Sequence, residues 1–572
     1  MSSAESAPGR RADRAGVAVL AALAALALGP VLLQRGVVLV GDMTFVPQRP
    51  WKAEWLGLDG SVPRAVPADA VVSVLTHVVP GDLLQKAVLL AILFLAGLGT
   101  LRLLGALASG PGRFSALAGA VFYLWNPYVQ ERLAIGHWGL LLGYAALPWV
   151  ALRADGVRRR AAGSWPALIG WLGVAAIGSP TGGILAGVLA LALGVERRRA
   201  VPGLLRITVV VAVLNGPWIL AGAVATGMGR DPAGVTAFAA RSDSPYGVLG
   251  SVATFGGIWK QSIVAGERGS WLLVGVAALA TIAGILALTR TAPRLVVVGL
   301  LGFALALVPA TSAGASLVEH LVEHVPGAGL LRDSQKWVAL LALAACVGFA
   351  LAVDHAVRGA VRQGLPGRAV AGAAVLLPVA LLPSLAWGLA GQYRPVVIPQ
   401  DWTRAAQVLA AVPADQLRTV VLPFSAYQRF GWNAERAALD PAIRFFPGQV
   451  VTDDRLVVGG VTVDGDSDAA ASIGTAVADG APLAPVLAGQ GIRFVLVEKT
   501  AAGAADLRAP TGRVVYDGPE IRLIDLGTPA RLRHGREVPL LIGADVVAAL
   551  LFLAGPTFLA VRRFRHKSAR IG

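Results

Sequence analysis

Apolar stretches of about 20 residues recur along the whole chain, separated by short segments in which arginine is concentrated. A stretch of that length lets an α-helix cross the roughly 30 Å hydrocarbon core of a bilayer. Inside that core every backbone N–H and C=O must be satisfied within the segment. The pattern therefore confines the chain to a polytopic α-helical membrane protein. Composition agrees, because only 15% of residues are charged and 55% are apolar, against about 25% charged in a soluble domain.

Apolar runs bounded by charge give twelve candidate spans, at 15–34, 83–105, 114–126, 138–153, 165–178, 181–195, 204–226, 271–289, 295–311, 337–353, 369–390 and 539–561. The first follows Arg10, Arg11 and Arg14; it is longer than a secretory apolar region and no small-x-small cleavage site follows, so it reads as an uncleaved helix. With the N-terminus inside, alternation places Arg113, Arg158, Arg197, Arg290, Arg294, the stretch from Arg358 to Arg368 and the tail from Arg562 to Arg570 in the cytoplasm. That agrees with the positive-inside rule. Lys+Arg exceed Asp+Glu by 50 to 34, a formal charge of +16. The excess sits in blocks such as Arg158 to Arg160 and Arg197 to Arg199, so it points to topology and not to nucleic acid. Cys346, the one cysteine, lies in an apolar run and excludes an intramolecular disulfide or a multi-cysteine metal site.

The segments expected outside are 35–82, 127–137, 227–270, 312–336 and 391–538. Residues 1–390 form the multi-span domain, 391–538 an extracytoplasmic domain, and 539–572 a final span with a basic cytoplasmic tail. In 391–538 the pattern changes to short strands and turns. Thr419 to Phe424 and Arg493 to Glu498 read as buried strands, Arg513 to Tyr516 with Ile521 to Leu526 as a hairpin, and Asp401 to Val412 and Ser467 to Ala478 as helices. The domain is expected to be α/β.

Walker A, Gly-x-Ser-x-Gly, GxGxxG and Cys-x-x-Cys patterns are absent from the sequence, which argues against an ATP-driven pump and a serine hydrolase. Asp42, in Val40-Gly41-Asp42-Met43, follows the first span closely. A carboxylate there could act as general base on an acceptor hydroxyl at the membrane surface; the alternative is a solvated loop aspartate beside a turn glycine. The segment from Trp125 to Trp138 packs Glu131, Arg132 and His137 between two spans, where charged groups are functional candidates or an interfacial ion pair. In Leu330 to Trp337, Arg332 and Lys336 are four apart and would share a helix face. With Ser334 and helix N-terminal amides they would cradle a phosphate; the alternative is interfacial anchoring. His320-Leu321-Val322-Glu323-His324 matches an H-x-x-E-H zinc pattern but reads as the polar stripe of a surface helix, so no metal site is assigned. Trp402, Tyr427, Trp432 and Asn433 read as a glycan-acceptor surface or as domain core.

The arrangement resembles the GT-C class of membrane glycosyltransferases, especially arabinofuranosyl- and mannosyltransferases of actinobacterial cell envelopes. The resemblance rests on the many spans, the aspartate early in the first outside loop, the C-terminal domain, and the segments WNPYVQERLAIGHW and LLRDSQKW. It implies a polyprenyl-phosphate-linked sugar donor, an envelope glycan or glycolipid acceptor, a plasma-membrane location, Asp42 as base, and Arg332 and Lys336 on the donor phosphate. A divalent cation stays open as a further participant. Two departures stand out: the family often shows paired acids where this chain has Gly41-Asp42-Met43, and a span after the soluble domain is not universal. A transporter or flippase of lipid-linked glycans, a non-catalytic scaffold, and an intramembrane peptidase built on His320 and His324 are the competing readings.

Overall fold

The computed structural model describes residues 7–568 apart from 108–109, 197–199, 226–230 and 528. The arginine block Arg197 to Arg199 and the end of the basic tail fall outside them, and the described side chains include neither Arg10, Arg11 nor those from Arg562 onward.

The protein is a multi-pass helical membrane protein. Among the described residues, seven helices are long and apolar enough to cross a bilayer: Gly81–Gly105, Trp138–Arg158, Ala200–Val224, Trp271–Leu288, Pro293–Ala310, Ser334–Arg362 and Val538–Gly555. Gly367–Leu381 and Pro383–Gly391 are apolar enough together but meet at 70°, the geometry of a broken span or a re-entrant loop. Arg14–Leu28, Ser164–Gly178 and Pro180–Gly194 are shorter apolar helices. The expected span at 114–126 is a 12-residue helix, Arg113–Leu124, buried from Ser115 onward. At 1.5 Å per residue it reaches about 18 Å, roughly half of the hydrocarbon core.

That helix stops because Asn126 precedes Pro127. A residue before proline is driven out of the helical region, and proline is suited to the first position of the next helix. Asn126 is extended, its side chain accepts from the Val129 N–H at 3.2 Å, and the short helix Pro127–Ala134 begins there. The break carries Glu131 and Arg132 into the interior, where both are fully buried.

In the C-terminal region the strands are β1 (Arg418–Leu422), β2 (Tyr427–Gln428), β3 (Ala438–Leu439), β4 (Gln449–Val451), β5 (Leu456–Val458), β6 (Val461–Val463), β7 (Phe494–Glu498), β8 (Arg513–Asp517) and β9 (Ile521–Asp525). The main sheet has the order β4-β1-β7-β9-β8. β1 lies parallel to both β4 and β7, with Val420 opposite Val495, and β9 runs antiparallel to β7 and β8. β1 and β7 are almost continuously apolar and buried, as central strands covered on both faces must be. β2 and β3 form a separate antiparallel pair that points toward the membrane domain.

The segment after the first helix is stitched to this region. Val37 pairs with Val396 and Gly41 with Ala438. Thr44 Oγ1 donates to the Leu439 carbonyl at 3.1 Å, Asn433 Nδ2 to Leu39 at 3.2 Å, and the Lys52 ammonium to Ile443.

Candidate active site

Asp42 sits on a tight turn clasped from two sides. Its N–H donates to the Ile135 carbonyl at 2.9 Å, while Gly41 donates to Ala437 and accepts from Leu439. The approach is close enough to require glycine twice. Gly41 has φ +51°, and a Cβ there would lie 2.1 Å from the Ile135 oxygen. Gly136 has φ +81°, and a Cβ would lie 2.3 Å from the Met43 nitrogen. Positive φ is accessible to glycine at little cost.

The turn presents the Asp42 carboxylate to a cavity of about 1070 Å³. Its side chain is 43% exposed into that space. His137 Nε2 lies 3.0 Å from Oδ2, and the Tyr427 hydroxyl donates to Oδ1. Behind His137, Arg132 Nη1 lies 2.9 Å from Nδ1. A guanidinium only donates, so Nδ1 accepts, and the imidazole is neutral with its proton on Nε2, directed at Asp42. Arg132 is fully buried and forks onto Asp333, at 2.7 and 2.9 Å. Lys336 Nζ lies 3.6 Å from the same carboxylate. One chain of contacts thus runs Tyr427, Asp42, His137, Arg132, Asp333, Lys336.

The electrostatics follow from these contacts. Burial in the cavity wall raises the Asp42 carboxyl, but the His137 and Tyr427 bonds and the Arg444 charge outweigh it and hold the group at about 2. Burial lowers His137, against the pull of Asp42. Burial and the neighbouring carboxylate both push the Tyr427 phenol well up, so it stays a donor. Asp333 is held below the ordinary range because Arg132 and Lys336 overcome its burial.

Arg332 and Lys336 both line the cavity, but they do not share a helix face. They lie in and beside two 3₁₀ turns, Ala328–Leu331 and Ser334–Trp337, and the α-helix begins only at Val338. Arg332 Nε donates to the Gly329 carbonyl at 3.2 Å, and among the described residues Arg332 forms no ion pair. Ser334 is fully buried, outside the cavity lining, where its hydroxyl accepts from the Ala240 N–H at 3.1 Å. It fastens two loops together and does not face the cavity.

Glu131 is also fully buried and away from the cavity. It accepts from Gln335 Nε2 at 3.0 Å, and burial with the nearby Asp243 charge raises its pKa well above the usual value. Asp243 in turn pairs with Arg268 at 2.7 Å. Trp402 is 1% exposed, packed among Phe430, Trp432, Phe445 and Phe446. Trp402 therefore belongs to the domain core and offers no acceptor surface, and Trp432 stacks on Phe430 at its edge. Tyr427 parts from them and reaches Asp42.

Residues passed over in the sequence complete the walls. Asp69 is gripped by Arg49 and, at 3.1 Å, by Arg444, both Asp69 and Arg444 facing the cavity. Arg64 lines it too, paired with Asp466 at 2.8 Å. Asp333 stood in plain sight between the two cations first read as a phosphate cradle. Arg444 and Arg64 carry no local pattern that marks them. A metal ion does not fit at Asp42, because both of its side-chain neighbours present hydrogens to it where co-ligands would present lone pairs.

No family model matches the chain, and no curated protein matches its sequence. Solved structures do. The fold is similar to that of arabinofuranosyltransferase AftD from Mycobacteria. The superposition has a TM-score of 0.56 at 18% identity and covers 91% of this chain and 40% of the AftD chain. A variant of AftD gives 0.56 at 19% identity, with 91% and 42% covered. The chain thus spans well under half the length of the AftD structures, and the likeness is one of fold.

Proposed function

We propose that the protein is a GT-C-type membrane glycosyltransferase that moves a sugar, of arabinofuranose or mannose type, from a polyprenyl-phosphate donor to an envelope glycan on the extracytoplasmic face. The observation that carries this reading is the Asp42 carboxylate, ionised and open to a large cavity that Arg332 and Lys336 also line. The likeness to AftD in fold supports it. The twelve spans, the cytoplasmic termini and the outward position of 391–538 belong to the same proposal.

In this mechanism the acceptor hydroxyl binds a free lone pair of Asp42, and its oxygen attacks the anomeric carbon from the face opposite the phosphate. The bond from that carbon to the phosphate oxygen breaks, the polyprenyl phosphate leaves, and the configuration inverts. A carboxylate of pKa about 2 is a weak base toward a free alcohol. It becomes an adequate one as the attacking oxygen acquires positive charge, so the proton moves late. Arg332 and Lys336 stabilise the charge on the departing phosphate. The neutral His137 fixes Asp42 without competing for the proton.

Glycosyl-linkage analysis of envelope polysaccharides tests this. A deletion strain receives either the wild-type gene or Asp42→Asn, matched for membrane expression. Wild type is expected to restore a missing linkage and the variant not to. Equal restoration by both removes Asp42 as base and favours a transport or scaffold role.

A further inference from the structure

The helix Ser312–His324 docks through one seam. Ala315, Val318 and Val322 pack with Val235 and Ala328, and this turns His320, Glu323 and His324 outward, all three exposed. Positions i, i+3 and i+4 fall on one helix face. Their ligand atoms all lie within 4.8 Å of one another, and the two imidazole rings are 4.2 Å apart between centroids. We propose that these three residues bind one divalent transition-metal ion, of the class Zn²⁺, Cu²⁺ or Ni²⁺.

The tautomer favours it. His324 Nδ1 lies 2.8 Å from the His320 carbonyl oxygen, which only accepts, so Nδ1 carries the hydrogen and Nε2 keeps its lone pair. A ligating histidine commonly has its second nitrogen held in this way. Two imidazoles and one carboxylate select borderline transition ions over Ca²⁺ or Mg²⁺, which prefer all-oxygen shells. Three protein ligands leave a fourth position for water.

The site is separate from Asp42 and does not rest on the glycosyltransferase reading. It has a structural connection to the cavity all the same. Val322 on the docked face and Val325, Pro326 and Gly327 just beyond His324 line the cavity wall. An ion across the last helical turn would hold that wall in place.

Zn²⁺ titration of the tag-free full chain in detergent, followed by calorimetry, reads the site directly. One ion per chain is expected to bind with micromolar affinity. His320→Ala and His324→Ala should each weaken it at least about tenfold, since loss of even an outer partner costs that much. Both side chains are solvent-exposed, so the melting curve without metal should stay unchanged. Cu²⁺ bound at substoichiometric loading should show coupling to two nitrogens by electron paramagnetic resonance. Unchanged affinity in both variants, or a single-nitrogen spectrum, overturns the site.

Discussion

The Tyr427 hydroxyl donates to Asp42 Oδ1, joining a β2 residue of the C-terminal region to a turn 385 residues earlier in the chain. The Asp42 carboxylate, the proposed base, is therefore held by two parts of the fold, and its own loop does not set its environment alone. Asp42→Asn should lower turnover by about 10²–10⁴-fold, the range of a lost general base. Tyr427→Phe removes one hydrogen bond and leaves the carboxylate, so its loss should be near tenfold, as about 1.4 kcal/mol of barrier implies. Turnover measured with a polyprenyl-phosphate sugar decides between them. Equal losses in the two variants would mean that Tyr427 does more than hold Asp42.

His137 is expected to set the acid limb of the proposed reaction. Burial raises the Asp42 carboxyl, and the His137 bond is the first of the contacts that bring it down to about 2. His137→Ala removes that contact and keeps the burial, so the Asp42 pKa rises. The wild-type rate should be insensitive to Asp42 protonation across the mildly acidic range, while the variant should lose rate there and recover it as pH increases. A pH–rate profile of kcat/KM checks the sign. An acid limb unmoved by the substitution would show that His137 does not govern the carboxylate.

How much of this was legible beforehand varies with the physics of each feature. The long apolar helices were, because in a bilayer an apolar run satisfies its backbone only as a helix, and β1 and β7 were, as short β-branched runs. The shortness of the run at 114–126 was legible too, and it folds as the 12-residue helix Arg113–Leu124; hydropathy does not see whether its residues face lipid or protein. Asp42 and His137 could be singled out one by one; the contact between them depends on Gly41 and Gly136 letting two backbones touch. Trp402 illustrates the reverse error, as an aromatic in the C-terminal region looks the same in sequence whether it stacks on a sugar or on Phe446. Lys336 and Arg332 looked like one helix face because i, i+4 spacing was read as α-helix where the chain makes 3₁₀ turns.

The buried pair of Arg132 and Asp333 sustains the fold around the site. Arg132 is fully buried and its partner's side chain is 10% exposed. Asp333→Asn leaves a guanidinium buried against a weaker acceptor, a change that costs on the order of 3–5 kcal/mol when a buried pair loses one charge. The melting temperature in detergent should fall clearly. Lys336→Met, at the more exposed end of the same chain of contacts, should lower it far less. A small effect of Asp333→Asn would mean that water reaches Arg132.

Asp440 and Glu498 form a second buried acidic pair, just beyond the strand that holds the Asp42 turn. Asp440 Oδ1 accepts from the Ala442 N–H at 2.8 Å, while Oδ2 and both Glu498 oxygens find no other donor among the described residues. Burial raises Asp440 to about 7, and burial with the Asp440 charge raises Glu498 well above its usual value. Both folded values lie above the unfolded ones, so the folded state binds more protons. The associated stability is complete below the ordinary carboxyl range and is lost as pH rises through about 7. Because Asp440 follows β3 directly and its N–H donates to Ala426, the loosened segment is the one that carries Tyr427. Thermal stability should therefore fall between about pH 5 and pH 8 in the wild type. Asp440→Asn should flatten that decline and be the more stable protein at the alkaline end. Parallel curves for the two proteins would show that this pair does not carry the titration.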